Sequence, residues 1–240
     1  MVISVVARSE EETIISLGAR AYRSIRDDIL QCVLEPGARA TEIRLAEAYP
    51  FGRSAIRVAM HRLDYEGLVR TVPRHGYLIT PVTMKDVVEL CELRLLLEPA
   101  AARLAAGKVD CLQLKELDRQ CGMGYDPGDR ASVLSFHRAN REFHLLVARA
   151  GGNSRLVRHL SGVLDEMKRL YFLGLTFPYQ TRERNQGHRR LVEALESGDS
   201  ELAERVAREQ VSETKQVVTD SLLAMPGLQR VTLSQVRTAS

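Results

Sequence analysis

Two arginines and a serine lie at the start of a predicted helix that follows a short helix and a turn. Arg53 and Arg57 are four residues apart, so one face of a helix carries both. A guanidinium fork matches the O6 and N7 atoms of guanine, whereas Ser54 and the helix N-terminal amides suit phosphate oxygens. The pattern predicts a helix-turn-helix whose second helix reads the major groove of double-stranded DNA.

A hairpin predicted over residues 68–80 extends this basic surface. It carries Arg70, Arg74 and His75 around a glycine, Gly76, and has no acidic residue before Thr80. The acidic residues of this part of the chain precede the turn: Asp27, Asp28, Glu35, Glu42 and Glu47. Segregated positive charge favours a polyanion partner. The alternative is that the arginines form an ordinary solvated helix face, and the basic hairpin counts against it.

Apolar spacing predicts the elements that position these residues. Helices are expected over Leu17–Val33, over about 42–48 with Thr41 as the N-cap, and over about 53–66 up to Gly67. On the third helix the core-facing residues are expected to be Ile56, Met60 and Leu63. Two short strands then surround Pro73–Gly76.

The chain beyond Pro81 is predicted to be entirely helical. Six amphipathic helices are expected at about 85–106, 110–122, 131–150, 154–174, 179–197 and 199–224. Thr83 and Asp86 form a helix-start box, and Leu90, Leu93, Leu96 and Leu97 are expected to make an apolar stripe. The fold class is therefore mostly α, a winged helix-turn-helix domain (14–82) followed by an all-α antiparallel bundle (83–225), with a flexible tail (226–240).

Composition limits the functional classes. The chain has 240 residues, 27% of them charged, and a net charge of +3. Its four cysteines form no C-x-x-C pair, which argues against a disulfide framework and a cysteine zinc site. The apolar run at residues 2–7 is too short for a signal peptide, and no apolar run reaches membrane-spanning length, so neither a leader nor a membrane span is expected. These features predict a soluble protein of a reducing compartment, the cytoplasm, without a membrane partner.

The first third resembles the GntR family of bacterial repressors. The resemblance is carried by Leu34-Glu-Pro-Gly37, Glu42-Ile-Arg-Leu-Ala-Glu47, the run from Arg53 to Leu63, and Gly76-Tyr77. It implies that Arg53, Arg57, His75 and Gly76 contact DNA, and we assign Ser54, Arg44 and Arg74 to the same surface. The sequence departs from the family at three places: Gly52 replaces a capping Ser or Thr, Ala55 a frequent Pro, and Val58 a common Glu.

Polar residues on three predicted helices suggest a second site. Asn140 and His144 are four residues apart on one helix, His188 lies on a later helix, and Gln210 on the last. Helical bundles build metal or ligand sites from inward-facing side chains of this kind. Taken alone the signal is weak, because a single histidine on a helix is more often a core or surface residue.

The helical part resembles the effector (FCD-type) domain of the FadR subfamily. The matching segments are Glu92–Glu98, Phe143-His144 with Gly152-Asn153, and residues 188–203. The resemblance implies a divalent metal, zinc or nickel, held by one Asp and three His, and a small carboxylate effector. His144 and His188 match two of these ligands, but Asn140 stands at the Asp position and Gln210 at the third His position.

The amides predict a weakened metal site. An amide oxygen brings no charge, and glutamine is a poor ligand for zinc or nickel. A second interpretation dispenses with the metal: Arg94, His144, His188 and the amides would bind the effector anion directly.

Two functional classes follow. The first is a ligand-responsive transcriptional regulator, a repressor released by a small organic acid, that binds palindromic half-sites as a homodimer. The second is a metal-dependent enzyme built on a helical bundle with an appended nucleic-acid module. The sequence contains no H-E-x-x-H, no G-x-S-x-G and no phosphate-binding glycine loop, so it favours the regulator.

Overall fold

The computed structural model of the chain describes residues 16–126, 128–173 and 181–223. The predicted flexible tail, residues 226–240, lies outside the described residues, as do residues 14 and 15 of the predicted first domain. The chain divides into two units between Pro81 and Val82.

From residue 16 onward, the N-terminal unit contains three helices and a small sheet around one apolar core. The elements are α1 (Leu17–Leu30), β1 (Arg39–Ala40), α2 (Glu42–Ala48), α3 (Arg53–Tyr65), β2 (Val69–Val72) and β3 (Gly76–Ile79). All strand pairs are antiparallel, in the order β1-β3-β2. Ile25, Ile29, Ile56, Met60 and Leu63 are fully buried in the core, as the spacing of the last three predicts.

Two details of this unit differ from the sequence prediction. Strand β1 was not predicted, because two residues show no periodicity and only pairing with β3 reveals them. The first helix ends at Leu30 rather than Val33, and Val33 is exposed. The chain turns there because the amides of Val33 and Leu34 both donate to the Asp28 carbonyl, while Cys32 adopts a positive φ.

The second unit is a bundle of six helices among the described residues. These are α4 (Met84–Ala105), α5 (Cys111–Gly122), α6 (Arg130–Ala150), α7 (Ser154–Phe172), α8 (Thr181–Glu196) and α9 (Ser200–Leu223). Helix α4 begins at the predicted Thr83–Asp86 capping box and packs against α6, α7 and α9. The fold class is confirmed: a winged helix-turn-helix followed by a helical bundle.

Helix α4 also corrects one prediction. The expected stripe of Leu90, Leu93, Leu96 and Leu97 does not face one core: Leu90 is buried, whereas Leu93 and Leu96 are 44% and 70% exposed. Leu104, at 40% exposed, lies on the same side of the helix. The helix is thus apolar on an outer face as well. No helix within the described ranges is both long and apolar enough to cross a membrane.

Candidate functional site

The N-terminal unit exposes the residues that were predicted to read DNA. Helix α2 is capped by Thr41, whose hydroxyl accepts from the Arg44 amide, and α3 begins after Gly52 with no side-chain cap. The N-terminal amides of α3 therefore face outward without a competing side-chain acceptor. We call the predicted DNA-contacting set the reading surface: Arg44, Arg53, Ser54, Arg57, Arg74, His75 and Gly76. All of these side chains are exposed, and Gly76 is half-buried.

One acidic residue interrupts the basic character of the reading surface. Arg57 Nε and Nη2 donate to the two carboxylate oxygens of Glu42, at 2.8 and 2.7 Å. The hydroxyl of Tyr77, on β3, donates to Glu42 Oε1 at 3.3 Å. The hydrogen bonds from Arg57 lower the pKa of Glu42, against the opposing effect of burial. The sequence places Glu42 before the turn, but the fold brings it against α3, so the predicted separation of acids from this surface is incomplete.

Gly76 has a structural reason to be glycine. Its φ is +84°, and a Cβ at this position would lie 2.5 Å from the carbonyl oxygen of Ala40. A side chain at this position would push the start of β3 away from β1. Packing within the sheet therefore accounts for this residue, independently of its predicted contact with DNA.

The second unit buries a group of polar side chains that we call the polar cluster. Its members are Arg94, Glu98, Asn140, His144, His188 and Gln210, each at least nine-tenths buried. Asn140 and His144 come from α6, one turn apart, and His188 comes from α8. Burying this many polar groups costs stability unless they pair with one another or with a ligand.

Glu98 is the centre of the cluster. Its Oε1 accepts from Arg94 Nε at 2.5 Å, and its Oε2 lies 3.0 Å from His144 Nδ1. Burial by itself would raise the pKa of Glu98, but Arg94 and His144 outweigh it through charge and hydrogen bonding and hold the pKa well below its usual range. Glu98 is therefore a buried carboxylate anion, and a small cavity lies beside it and His144.

His188 and Gln210 form the other side of the cluster. The His188 ring stacks on Phe143 with centroids 4.0 Å apart, and its centroid is 5.5 Å from that of His144. His188 Nδ1 lies 3.5 Å from a carboxylate oxygen of Asp118 on α5. Gln210 packs against Gly187, where an added Cβ would lie 3.3 Å from Gln210 Cγ. The Gln210 side-chain oxygen, Oε1, is buried and has no hydrogen-bond partner among the residues that the structure describes.

These donors do not fit a tightly held zinc or nickel ion. Two imidazoles and two neutral amides supply no negative charge to the ion. The carboxylates of Glu98 and Asp118 lie at the Nδ1 atoms of the two histidines, where they can orient the imidazole rings but are not themselves ligands of an ion at Nε2. Within the part of the chain that the structure describes, no three His, Cys, Asp or Glu side chains form a group that could hold a metal.

Three acidic residues of these sites were not predicted. Glu98 could have been found, because it follows Arg94 by four residues on α4 and an arginine–glutamate pair at that spacing is common on helices. Asp118 and Glu42 reach their partners across helices, so the sequence offers no local spacing from which to predict them.

A winged helix-turn-helix joined to a helical bundle with a buried polar cluster defines a DNA-binding transcriptional regulator. Residues 17–79 match the model of bacterial regulatory proteins of the gntR family, and residues 89–213 match the FCD domain. The chain belongs to the GntR family of regulators that carry an FCD domain.

Similar proteins and solved structures match this chain over most of its length. The HTH-type transcriptional regulator YdhC of Bacillus subtilis is 28% identical over 188 residues, 77% of this chain and 83% of its own length. The HTH-type transcriptional repressor RspR of Escherichia coli is 22% identical, over 82% of this chain and 86% of its own length. The structure of McbR/YncC from E. coli matches with a TM-score of 0.72 at 21% identity, over 86% of this chain and 99% of that one. The proteins compared are regulators, so the enzyme alternative is set aside.

Proposed function

We propose that this chain is a cytoplasmic, ligand-responsive repressor of the FadR subfamily. It binds a palindromic operator as a homodimer through the reading surface and releases it when a small carboxylate enters the polar cluster. The observation that carries this proposal is the buried Glu98 carboxyl between Arg94 and His144 in a domain joined to a helix-turn-helix unit. The repressor RspR, which is similar along most of the chain, supports the sign of regulation.

The composition of the polar cluster supports a carboxylate effector. Arg94 and His144 are donors already set to bind a carboxylate, since each contacts one oxygen of Glu98. An effector carboxylate would compete with Glu98 for them. The buried side-chain oxygen of Gln210 has no donor in the described part of the chain, and an unmet acceptor of this kind costs about 1–3 kcal/mol, which a hydroxyl on the effector would recover.

The exposed face of α4 supports the homodimer. Leu93, Leu96 and Leu104 lie on one side of the helix and remain exposed, although α6, α7 and α9 cover its other sides. Paired half-sites require two reading surfaces, so a second copy is the partner that we propose for this face. Leu96→Lys should shift the sedimentation coefficient toward that of a monomer, and an unchanged value would place the dimer contact elsewhere.

DNA reading is tested on a duplex selected from a random library with the wild-type protein. Arg53→Ala and Arg57→Ala should each weaken binding to this duplex about tenfold or more and relax its sequence preference. The control is Arg23→Ala, which removes an exposed arginine from α1, outside the reading surface. Normal binding by both α3 variants would show that α3 does not read the operator.

Effector binding is tested by metal analysis of the purified protein, followed by a thermal-shift screen of small organic acids with and without divalent ions. An acid should stabilise metal-free protein and lower its affinity for the selected duplex. His144→Ala should abolish both responses while binding DNA normally, and the exposed His159→Ala should keep them. A bound metal whose removal abolishes the acid response would instead make Asn140 and Gln210 working ligands.

A further inference from the structure

Glu42 joins three elements of the N-terminal unit at the reading surface. It lies at the start of α2, it receives two hydrogen bonds from Arg57 on α3, and it receives a third from Tyr77 on β3. The Arg57 side chain remains 59% exposed despite the contact. Glu42 therefore holds one edge of the Arg57 guanidinium group, while the rest of the group faces solvent.

The geometry limits what Arg57 can offer to DNA. The Nε–Nη2 edge of the guanidinium faces the Glu42 carboxylate, so the edge that includes Nη1 is the one directed to a partner. A guanidinium fixed in this way can still form the paired hydrogen bonds that recognise guanine. It loses less side-chain freedom on binding than an unrestrained arginine, because its orientation is already set.

The charge of Glu42 also favours specific over non-specific binding. It stays ionised, since the hydrogen bonds from Arg57 lower its pKa, and the charge of nearby Arg53 adds to this effect. A carboxylate at this place repels the phosphate backbone, and the ion pair reduces the attraction of Arg57 for phosphates of any sequence. Non-specific affinity is thereby lowered, while the outward edge of Arg57 remains able to read a base.

A purely structural role does not require this arrangement. Exposed ion pairs contribute little to stability. An acid in the first turn of α2 does interact favourably with the helix dipole, but any carboxylate there would do so without binding an arginine through both oxygens. The two-oxygen contact with Arg57 is the feature that these roles leave unexplained.

We propose that Glu42 is a specificity-determining residue, which orients Arg57 toward a guanine edge and withholds it from the phosphate backbone. The inference rests on the proposed reading role of α3. It predicts that Glu42 contributes to discrimination between DNA sequences and reduces affinity for DNA in general.

The test uses Glu42→Gln in the full chain. Dissociation constants are measured for the selected duplex and for a scrambled duplex of the same composition, at several salt concentrations. The variant should bind the scrambled duplex several-fold more tightly, and its specificity ratio should fall by about tenfold. The salt dependence of its binding to the scrambled duplex should steepen by about one unit, because Arg57 becomes available to a phosphate.

Two further variants separate local from general effects. Glu47→Gln removes the same charge from an exposed position on the same helix and should leave the specificity ratio unchanged. Glu42→Asp keeps the charge and the dipole interaction but is too short to hold Arg57 through both oxygens. Its specificity ratio should fall, and its affinity for the scrambled duplex should rise less than that of Glu42→Gln, because the negative charge remains beside Arg57. Should Glu42→Gln not fold, Glu42→Asp alone decides the question.

The Arg57→Ala background distinguishes the two proposals. Glu42→Gln should have no effect on the specificity ratio once Arg57 is absent. If Arg57→Ala keeps both the affinity and the sequence preference of the wild type, Arg57 does not read the operator and the role of Glu42 fails with it; the reading role of α3 fails as well only if Arg53→Ala also binds normally. If Arg57→Ala loses the preference but Glu42→Gln keeps the wild-type ratio, only the role of Glu42 is overturned.

Discussion

Each unit of the molecule contains an arginine–glutamate pair, and the two pairs have opposite surroundings. In the N-terminal unit the Arg57 and Glu42 side chains are 59% and 23% exposed. In the helical unit the Arg94 and Glu98 side chains are 5% and 6% exposed. Water and salt can replace the partners of the first pair at little cost, whereas the second pair is isolated from both. The same chemistry therefore gives a contact at the surface that water and salt can replace, and one in the interior that neither replaces.

The largest expected effect comes from breaking the buried pair. Glu98→Gln keeps the shape of the side chain but removes the buried carboxylate that Arg94 and His144 both contact. The free energy of unfolding should fall by about 3–5 kcal/mol, measured by urea denaturation of the full chain. A loss below about 1 kcal/mol would mean that water reaches Arg94 and that the cluster is more open than its burial indicates.

A smaller loss is expected when both charges are removed together. Arg94→Met combined with Glu98→Met removes both charges of the pair, and well-packed apolar replacements of buried ion pairs are often tolerated. The His144 Nδ1 atom loses its acceptor, so the double variant should remain about 1–3 kcal/mol less stable than the wild type. It should also lose the response to organic acids. Stability no better than that of Glu98→Gln would show that packing, rather than charge, dominates this region.

The surface pair should affect stability least, and its effect should depend on salt. Glu42→Gln should lower the urea midpoint slightly in dilute buffer and not at all at about 1 M sodium chloride, where exposed charges are screened. The loss caused by Glu98→Gln should be the same in both buffers. Equal salt dependence of the two variants would remove the distinction between the pairs.

Tyr77→Phe removes the longest of the three hydrogen bonds that Glu42 accepts, the one from the Tyr77 hydroxyl. The hydroxyl donates to Glu42 at 3.3 Å from the wing strand, so its removal should loosen Glu42 without releasing Arg57. The specificity ratio for the selected duplex over the scrambled one should fall by about twofold, with no change in stability beyond error. A fall as large as that for Glu42→Gln would make the tyrosine the main support of the pair.

The sequence was sufficient for most of the fold because the helices carry strong local signals. The capping box at Thr83 and the buried residues Ile56, Met60 and Leu63 follow directly from periodicity and capping preferences. Strand β1 and the exposed apolar side of α4 could not be predicted from these local signals. A two-residue strand exists only through its partner, and an apolar residue at helical spacing faces a neighbour only if one is there.

The sites were predictable in part for the same reason. Exposed basic residues of the reading surface and the inward-facing histidines could be found from spacing and resemblance. Their acidic partners could not, except for Glu98, because Glu42 and Asp118 meet Arg57 and His188 only through the packing of separate helices. The opposing charges that decide how each basic group behaves are tertiary features.

Strand β1 has a practical consequence for anyone who wishes to change the operator of this regulator. It leads directly into α2, pairs with β3, and has its Ala40 carbonyl so close to Gly76 that no side chain fits between them. Helix α3 and the β2–β3 hairpin are therefore connected through β1 and α2 and should be exchanged between proteins together. A chimera should transplant residues 39–79 as a block, since a graft of α3 or of the hairpin alone would separate Arg57 and Tyr77 from the carboxylate that both contact.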